Sequence, residues 1–235
     1  MWEEKRVAVT GASSGVGEAL VKRLRALGAY AFRIERNRQA IFDPRGFQYV
    51  FLVAGVGWVQ SARTPYLQKC QEVWNVNLLN PINRAQAALS SSDAHVHLVG
   101  SVQSLIAGVH HGIYAATKHG LRGWAYAAAR ELPGRVSISY PNGIKDSGYF
   151  SNLLGPEEDV RAYQAKVKAV LEEKDTSDDV AAGILEGVSW GGREILPTLG
   201  TYEWAKKNEV DTRRMWYPGC LQPSEMRWDW WPSEL

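Results

Sequence analysis

Near the start of the chain a short apolar run, Val7-Ala8-Val9-Thr10, breaks into Gly11-Ala12-Ser13-Ser14-Gly15-Val16-Gly17 and then into a helical repeat. Leu20, Val21, Leu24 and Leu27 are spaced along one helical face, and Gly28 closes it. No other stretch restricts the fold as strongly, because glycines at this junction let the backbone turn from strand to helix within a few residues. The pattern then repeats. Apolar runs follow at residues 30–34, 49–54, 95–99, 136–140 and 194–196, and helix-like stretches fill 67–89 and 114–132. The run at 49–54 is continuous, as in a strand buried on both faces. Strands alternating with helices predict βαβ units and an α/β fold with a doubly wound parallel sheet. The interval between Glu35 and Tyr49 is too short for the usual helix, strand and second helix, so a truncated region is expected after the second strand.

A chain of 235 residues suits one compact domain, and 45% hydrophobic with 22% charged residues is a globular composition. The net charge of +2, with basic residues scattered, argues against nucleic acid and acidic membranes and leaves a small-molecule substrate as the expected partner. Cys70 and Cys220 show no metal or redox spacing, so free thiols in a reducing compartment and no metal site are expected. No apolar run reaches a membrane span of about 18 residues. The start, Met1-Trp2-Glu3-Glu4-Lys5-Arg6, lacks a signal peptide's apolar region, and a cytoplasmic location is the expectation. The main domain is expected over 1–200. The extension at 201–235 holds five of the ten tryptophans, Trp204, Trp216, Trp228, Trp230 and Trp231, with Pro218, Pro223 and Pro232. Such a segment cannot be an ordinary helix. Its candidate roles are packing on its own subunit, covering a neighbour's active site, anchoring a partner or, disfavoured because no basic amphipathic helix accompanies the tryptophans, lying at a membrane interface.

Parallel sheets of this kind bind ligands at the carboxyl ends of their strands, so the residues just after each strand are where chemistry is expected. Gly11, Ser13, Ser14, Gly15, Val16 and Gly17 form a turn whose backbone can approach a pyrophosphate, with free N–H groups at the helix N-terminus. Glu35 follows about 20 residues on, where a carboxylate can accept from both hydroxyls of an adenosine ribose and so favours NAD. Arg33, Arg36 and Arg38 surround it, and Arg36 can hold a 2′-phosphate, which keeps NADP open. Asp43, after Ile41-Phe42, is placed as a cap on the adenine pocket from a third strand.

At the other end, Ser101 ends the 95–99 strand region, and Tyr114-Ala115-Ala116-Thr117-Lys118 opens the alanine-rich helix. Tyrosine and lysine four apart share a helical face. An ammonium beside a phenol lowers its pKa from about 10, and such a phenol exchanges a proton with an alcohol or carbonyl. Ser101 can hold the same oxygen.

With these residues in order, the chain resembles the short-chain dehydrogenase/reductase family over residues 5–200. The landmarks are Thr-Gly-x-x-x-Gly-x-Gly at 10–17, Ala54-Gly55, Asn75-Val76-Asn77-Leu78, Ser101, Tyr-x-x-x-Lys at 114–118, and Pro141-Asn142-Gly143-Ile144. The glycine spacing is similar to the single-domain branch. The resemblance implies a Rossmann fold, hydride transfer at the nicotinamide C4, and a catalytic set of Ser101, Tyr114, Lys118 and Asn77. Asn77 would hold a relay water, and Lys118 would bind the nicotinamide ribose. Ala54, Gly55, Pro141, Gly143, Ile144 and Ser147 would complete the cofactor site. Related enzymes dimerise through the two long helices, so a homodimer or homotetramer is expected.

The chain departs from the family in places. Val53 stands where an asparagine supports the central sheet, Asn142 replaces a glycine, and Asp146 or Ser147 stands where a threonine meets the carboxamide. The late Asp-Gly-Gly strand is missing. The substrate pocket is expected from Trp58, Gln103, Ser104, His110, His111, Tyr149 and Phe150, with the two histidines equally readable as exposed loop residues. In the family the region 146–174 closes over the substrate as a mobile lid. The implied activity is alcohol/carbonyl oxidoreduction with NAD or NADP. An isomerase, epimerase or dehydratase on the same fold, or a non-catalytic cofactor-sensing scaffold, are the alternatives.

Overall fold

The computed structural model describes residues 1–34, 43–65, 68–171 and 174–219. Glu35, Arg36, the strand expected at Ile41-Phe42, and Trp228, Trp230 and Trp231 lie outside the described residues.

Among the described residues, seven parallel strands form one sheet. They are β1 (Arg6–Thr10), β2 (Tyr30–Ile34), β3 (Tyr49–Leu52), β4 (His95–Val99), β5 (Val136–Ser139), β6 (Glu194–Ile195) and β7 (Met215–Trp216). Their order is β2-β1-β3-β4-β5-β6-β7. The chain leaves β1 to pair on one side as β2 and returns on its other side as β3. That reversal opens a crevice at the carboxyl ends of β1 and β3.

Both faces of the sheet are covered, which is why its inner strands read as unbroken Val, Ala, Phe and Leu. On one face α1 (Gly15–Ala26) and α6 (Ser177–Ser189) bring Leu20, Leu24, Val180 and Ile184 into one core with Val7, Val9 and Phe51. On the other, α3 (Asn80–Ser91) and α4 (Gly112–Glu131) bring Ala85, Ala88, Leu121 and Ala125 against Val50, Leu52, Val96 and Leu98. Each fully buried Val or Leu contributes about 1.5–3 kcal/mol relative to exposure, so the strand ends that carry the site are held from both sides.

The helix expected over 67–89 is present as one helical run from Cys70 to Ser91, with a π turn inside it. A short α2 (Cys70–Trp74) runs into a π-helical turn at Asn75–Leu79 before α3 begins. Single π turns inside helices reorient what they carry, and this one turns Asn77 into the interior, 1% exposed. Residues 53–54, expected as strand, leave the sheet after Leu52 and form loop at its carboxyl edge.

Of the roles left open for the extension, its described part shows packing on its own chain. The described part of the extension continues the domain: α7 (Leu199–Lys207) packs Ala205 into the core, and β7 pairs with β6. Tyr202 stacks on Tyr217 at 3.7 Å, and Trp216 is buried. A strand of two residues carries too little periodicity to be visible in sequence. Among the described residues no helix is long and apolar enough to cross a membrane.

Candidate active site

A cleft of about 800 Å³ runs along the carboxyl ends of the strands from the glycine turn to Tyr114. The turn is shaped by exclusion. Gly11 has φ +63°, and a Cβ there would lie 2.8 Å from the Ala54 backbone; one on Gly17 would lie 2.2 Å from the Gly11 carbonyl oxygen. Only glycine lets the strand end close on α1. Ser14, extended at the N-cap, makes no side-chain cap bond, so the first-turn N–H groups of α1 are not closed off by it. The Thr10 hydroxyl accepts from the N–H groups of Val53 (3.0 Å) and Ala54 (3.3 Å), tying the loop after β3 to the turn although Val53 has replaced the family's asparagine. Gly11, Ser13, Ser14, Gly15, Val16, Gly17, Ala54 and Gly55 all line this end, with Arg33 and Arg84. No Asp or Glu is among the described residues of the lining. Backbone donors at a helix N-terminus, no Cβ in the way and cationic walls fit the diphosphate of a dinucleotide.

At the other end, Tyr114 and Lys118 are buried on the inward face of α4. The Lys118 ammonium donates to the Val99 carbonyl at 3.0 Å, and its nitrogen lies 5.8 Å from the Tyr114 ring centre. The sequence-based expectation that Lys118 lowers the Tyr114 pKa does not hold in this geometry. Burial pushes the phenol up, and the nearby hydroxyls of Ser101 and Tyr149 ease that only in part. Burial likewise pulls Lys118 down, to about 8. Desolvation opposes charge on both groups. Ser101 caps a short 3-10 turn (Val102–Ser104), its oxygen accepting from Gln103 N–H at 3.2 Å, which leaves its own proton to be donated into the cleft.

Asn77 lies behind the cleft wall. Its Oδ1 accepts from Val56 N–H and its Nδ2 donates to the Val56 carbonyl, both at 2.8 Å. A Cβ on Gly55 would lie 3.4 Å from Asn77 Oδ1 and 3.6 Å from Lys118 Nζ, so this glycine keeps open the space between them.

Pro141, Gly143, Ile144 and Ser147 line the cleft after β5. Asp146 turns away: its Oδ1 accepts from Ser177 N–H at 2.7 Å at the start of α6, leaving Ser147 on the cleft side. Of the expected pocket residues, Gln103, His111, Tyr149 and Phe150 line it. Trp58 does not. It is 1% exposed, packed in the small core that also holds Tyr114, with its Nε1 donating to Gln60 Oε1 at 2.9 Å. Ser104 is buried in the cap of the 3-10 turn, its oxygen accepting from Ser101 N–H at 3.2 Å, and neither it nor His110 is among the lining residues. Asp43 is also outside the lining, exposed and forked by the Arg45 guanidinium at 2.7 Å.

The 146–174 region covers the pocket through α5 (Glu157–Leu171), which brings Tyr163 and Val167 to the lining. It is stitched to the loop after β3: Val59 N–H donates to Leu154 at 2.9 Å, Leu154 N–H to Gly57 at 3.0 Å, and Ser61 N–H to Asp159 at 2.9 Å. Tyr163 closes a ring of edge-to-face aromatics, 4.7 Å from His111, which lies 6.0 Å from Tyr114. Sequence reasoning missed Tyr163, Lys174 and Arg84, which carry no local motif. Arg84 comes in on α3, Tyr163 on α5 and Lys174 on the segment just before α6. Asn142, noted in sequence only as a departure, also lines the cleft.

A family model described as short chain dehydrogenase matches residues 45–151, the stretch that carries Asn77, Ser101, Tyr114, Lys118 and the loop after β5. No curated protein matches. Among solved structures, a short chain dehydrogenase/reductase from Burkholderia phymatum in complex with NAD is similar with a TM-score of 0.72 and 19% identity, over 89% of this chain and 96% of that one. A short chain dehydrogenase from Burkholderia cenocepacia J2315 in complex with NADP gives 0.72 and 18%, over 90% and 95%. One from Streptomyces avermitilis gives 0.72 and 16%, over 88% and 93%. At these identities the structures establish the fold. Taken with the family match over residues 45–151 and the ordered landmarks, they make the chain similar to short-chain dehydrogenases in its fold and in the stretch that carries Ser101, Tyr114 and Lys118.

Proposed function

We propose that the protein is an NAD(P)-dependent oxidoreductase that interconverts an alcohol and a carbonyl on a small organic substrate, with Tyr114 as the acid/base group. The observation that carries this is the continuity of one cleft from a glycine cradle shaped for a diphosphate to a buried Tyr114 flanked by Ser101 and Lys118. Bound nicotinamide would supply the hydride acceptor or donor. In reduction, Tyr114 gives its proton to the carbonyl oxygen as hydride reaches the carbon; in oxidation it takes the alcohol proton as hydride leaves. Ser101 orients the reacting oxygen. A phenol raised by burial is protonated at neutral pH, the form that reduction requires. Lys118 sits one helical turn away, positioned to hold the ribose.

Arg33 and Arg84 on the adenosine-side wall suit a 2′-phosphate as well as the diphosphate. The choice of NAD over NADP therefore turns on Glu35, and Glu35→Ala should raise NADPH use relative to NADH. Assembly as a homodimer or homotetramer is part of the proposal, and sedimentation at micromolar concentration tests it. The functional test is calorimetric titration with both cofactors, followed by a panel of ketones and alcohols read at the reduced-nicotinamide absorbance. Binding of a cofactor with turnover on the panel supports the proposal. Binding of neither contradicts it.

A further inference from the structure

We infer that His111 is a specificity-determining residue: its Nε2 accepts a hydrogen bond from a hydroxyl that the substrate carries near its reacting carbon, so the preferred substrates are hydroxy carbonyls and their diols over simple ketones and alcohols. This rests on the alcohol/carbonyl chemistry proposed above. The imidazole is 3% exposed and lines the cleft. Its Nδ1 lies 3.0 Å from the Val109 carbonyl oxygen. A carbonyl oxygen only accepts, so in the neutral ring Nδ1 carries the proton and Nε2 keeps a lone pair. Among the described residues Nε2 meets no hydrogen-bond partner, and it is not sealed in: the one enclosed side-chain nitrogen without a partner is Arg135 Nε. Burial draws the imidazole below the ordinary histidine range, so the ring is neutral at pH 7 and the lone pair persists. A mostly buried acceptor left unpaired is unfavourable, and a donor on the ligand relieves it.

The ring is held in this orientation from several sides. His111 N–H donates to the Gly108 carbonyl at 3.1 Å, and the preceding His110 carbonyl accepts from Gln60 N–H at 2.8 Å. Tyr163 and Tyr114 meet the imidazole edge to face at 4.7 and 6.0 Å. The second of these distances puts the recognised hydroxyl within a few bonds of the carbon whose oxygen Tyr114 serves. The same turn adds a donor. Gly108 N–H donates to Gln103 Oε1 at 2.6 Å, which fixes the amide with its Nε2 left to donate, and a Cβ on Gly108 would lie 2.8 Å from that nitrogen. Gln103 lines the cleft with His111. A hydroxyl donates to the imidazole and accepts from the amide, whereas a ketone or carboxylate oxygen has no proton to give His111. Tyr149, Phe150, Tyr163 and Val167 supply an apolar wall for the rest of the substrate.

The test pairs hydroxyacetone with acetone, 4-hydroxy-2-butanone with 2-butanone, and 2-hydroxyacetophenone with acetophenone. Each is reduced by the wild type and by His111→Phe, which keeps a ring in the aromatic seat and removes the nitrogen. In the wild type, kcat/KM for at least one hydroxylated ketone should exceed its partner's by about 10–100-fold. That ratio should fall about tenfold or more in His111→Phe and recover in part in His111→Gln, whose amide oxygen restores an acceptor. A wild-type ratio near one in every pair, or an unchanged ratio in His111→Phe, overturns the inference. A second measurement needs no turnover. The nitrogen resonances of His111, assigned with either variant, should show the Nδ1–H tautomer, and Nε2 should move on adding 1-phenyl-1,2-ethanediol but not 1-phenylethanol. An Nε2–H tautomer, or equal movement with both alcohols, overturns the inference. The expected movement in a protein that binds no nicotinamide would uphold the role of His111 while removing the proposed function.

Discussion

The two ends of the cleft are made of different material. The glycine end is backbone, contiguous over residues 11–17, and its shape comes from atoms that are missing: a Cβ on Gly17 or Gly11 would collide with main chain. The tyrosine end is side chains drawn from separate elements: Ser101 after β4, Tyr114 and Lys118 on α4, Tyr149 after β5 and Tyr163 on α5. One end tolerates no added atom, and the other depends on single hydroxyls. The first is fixed by steric exclusion, whereas the second is tuned by burial against hydrogen bonding.

That contrast can be broken at either end. The largest effect is expected for Tyr114→Phe, which should lower turnover by about 10²–10⁴-fold while leaving the cofactor dissociation constant within about threefold, measured by steady-state kinetics and calorimetry. Gly17→Ala should do the reverse. Its Cβ meets a rigid carbonyl, and a strain of about 3 kcal/mol corresponds to about 100-fold weaker cofactor binding, with Tyr114 unmoved. If Gly17→Ala instead spared cofactor binding, the cradle would not be the binding element.

Lys118 joins the two ends and gives a pH-dependent expectation. Its folded pKa of about 8 lies below the ordinary 10.5, so between these values the folded protein carries less of the proton than the unfolded chain. Stability from this group therefore rises with pH across about 8 to 10.5 and is lost as pH falls through 8. Lys118→Met removes the dependence. Its stability advantage over wild type should shrink by up to about 3 kcal/mol across that window, read from denaturant melts. A constant gap would mean Lys118 is not desolvated in solution. The smallest effect is expected behind the wall: Asn77→Ala strands both peptide groups of Val56 and should cost about 1–3 kcal/mol of stability, seen as a lower melting temperature.

The same contrast explains what the sequence disclosed. The glycine turn, β1, β2, β4 and the Tyr114–Lys118 pair are local patterns with fixed periods or spacings, and each appears in the structure near where it is expected. Ser147 and Asp146 are told apart by the fold, in which Asp146 accepts from Ser177 N–H at the start of α6. The π turn at Asn75–Leu79 has no compositional mark, and Trp58 looked like a pocket residue because sequence gives its position after a strand but not that Gln60 holds its nitrogen inward. The Tyr114 phenol is raised, against the direction that its spacing from Lys118 suggests, for a related reason. Helical spacing reports which groups are near, while burial decides which charge survives, and burial is a property of the whole fold.

The central claim is that these two ends serve one hydride transfer. It is tested most directly with an alcohol that turns over, carrying deuterium at its carbinol carbon, and the oxidised cofactor, followed by mass spectrometry of the products. The account requires the label in the reduced nicotinamide. Product formed with the label retained in the substrate skeleton or lost to solvent would contradict it.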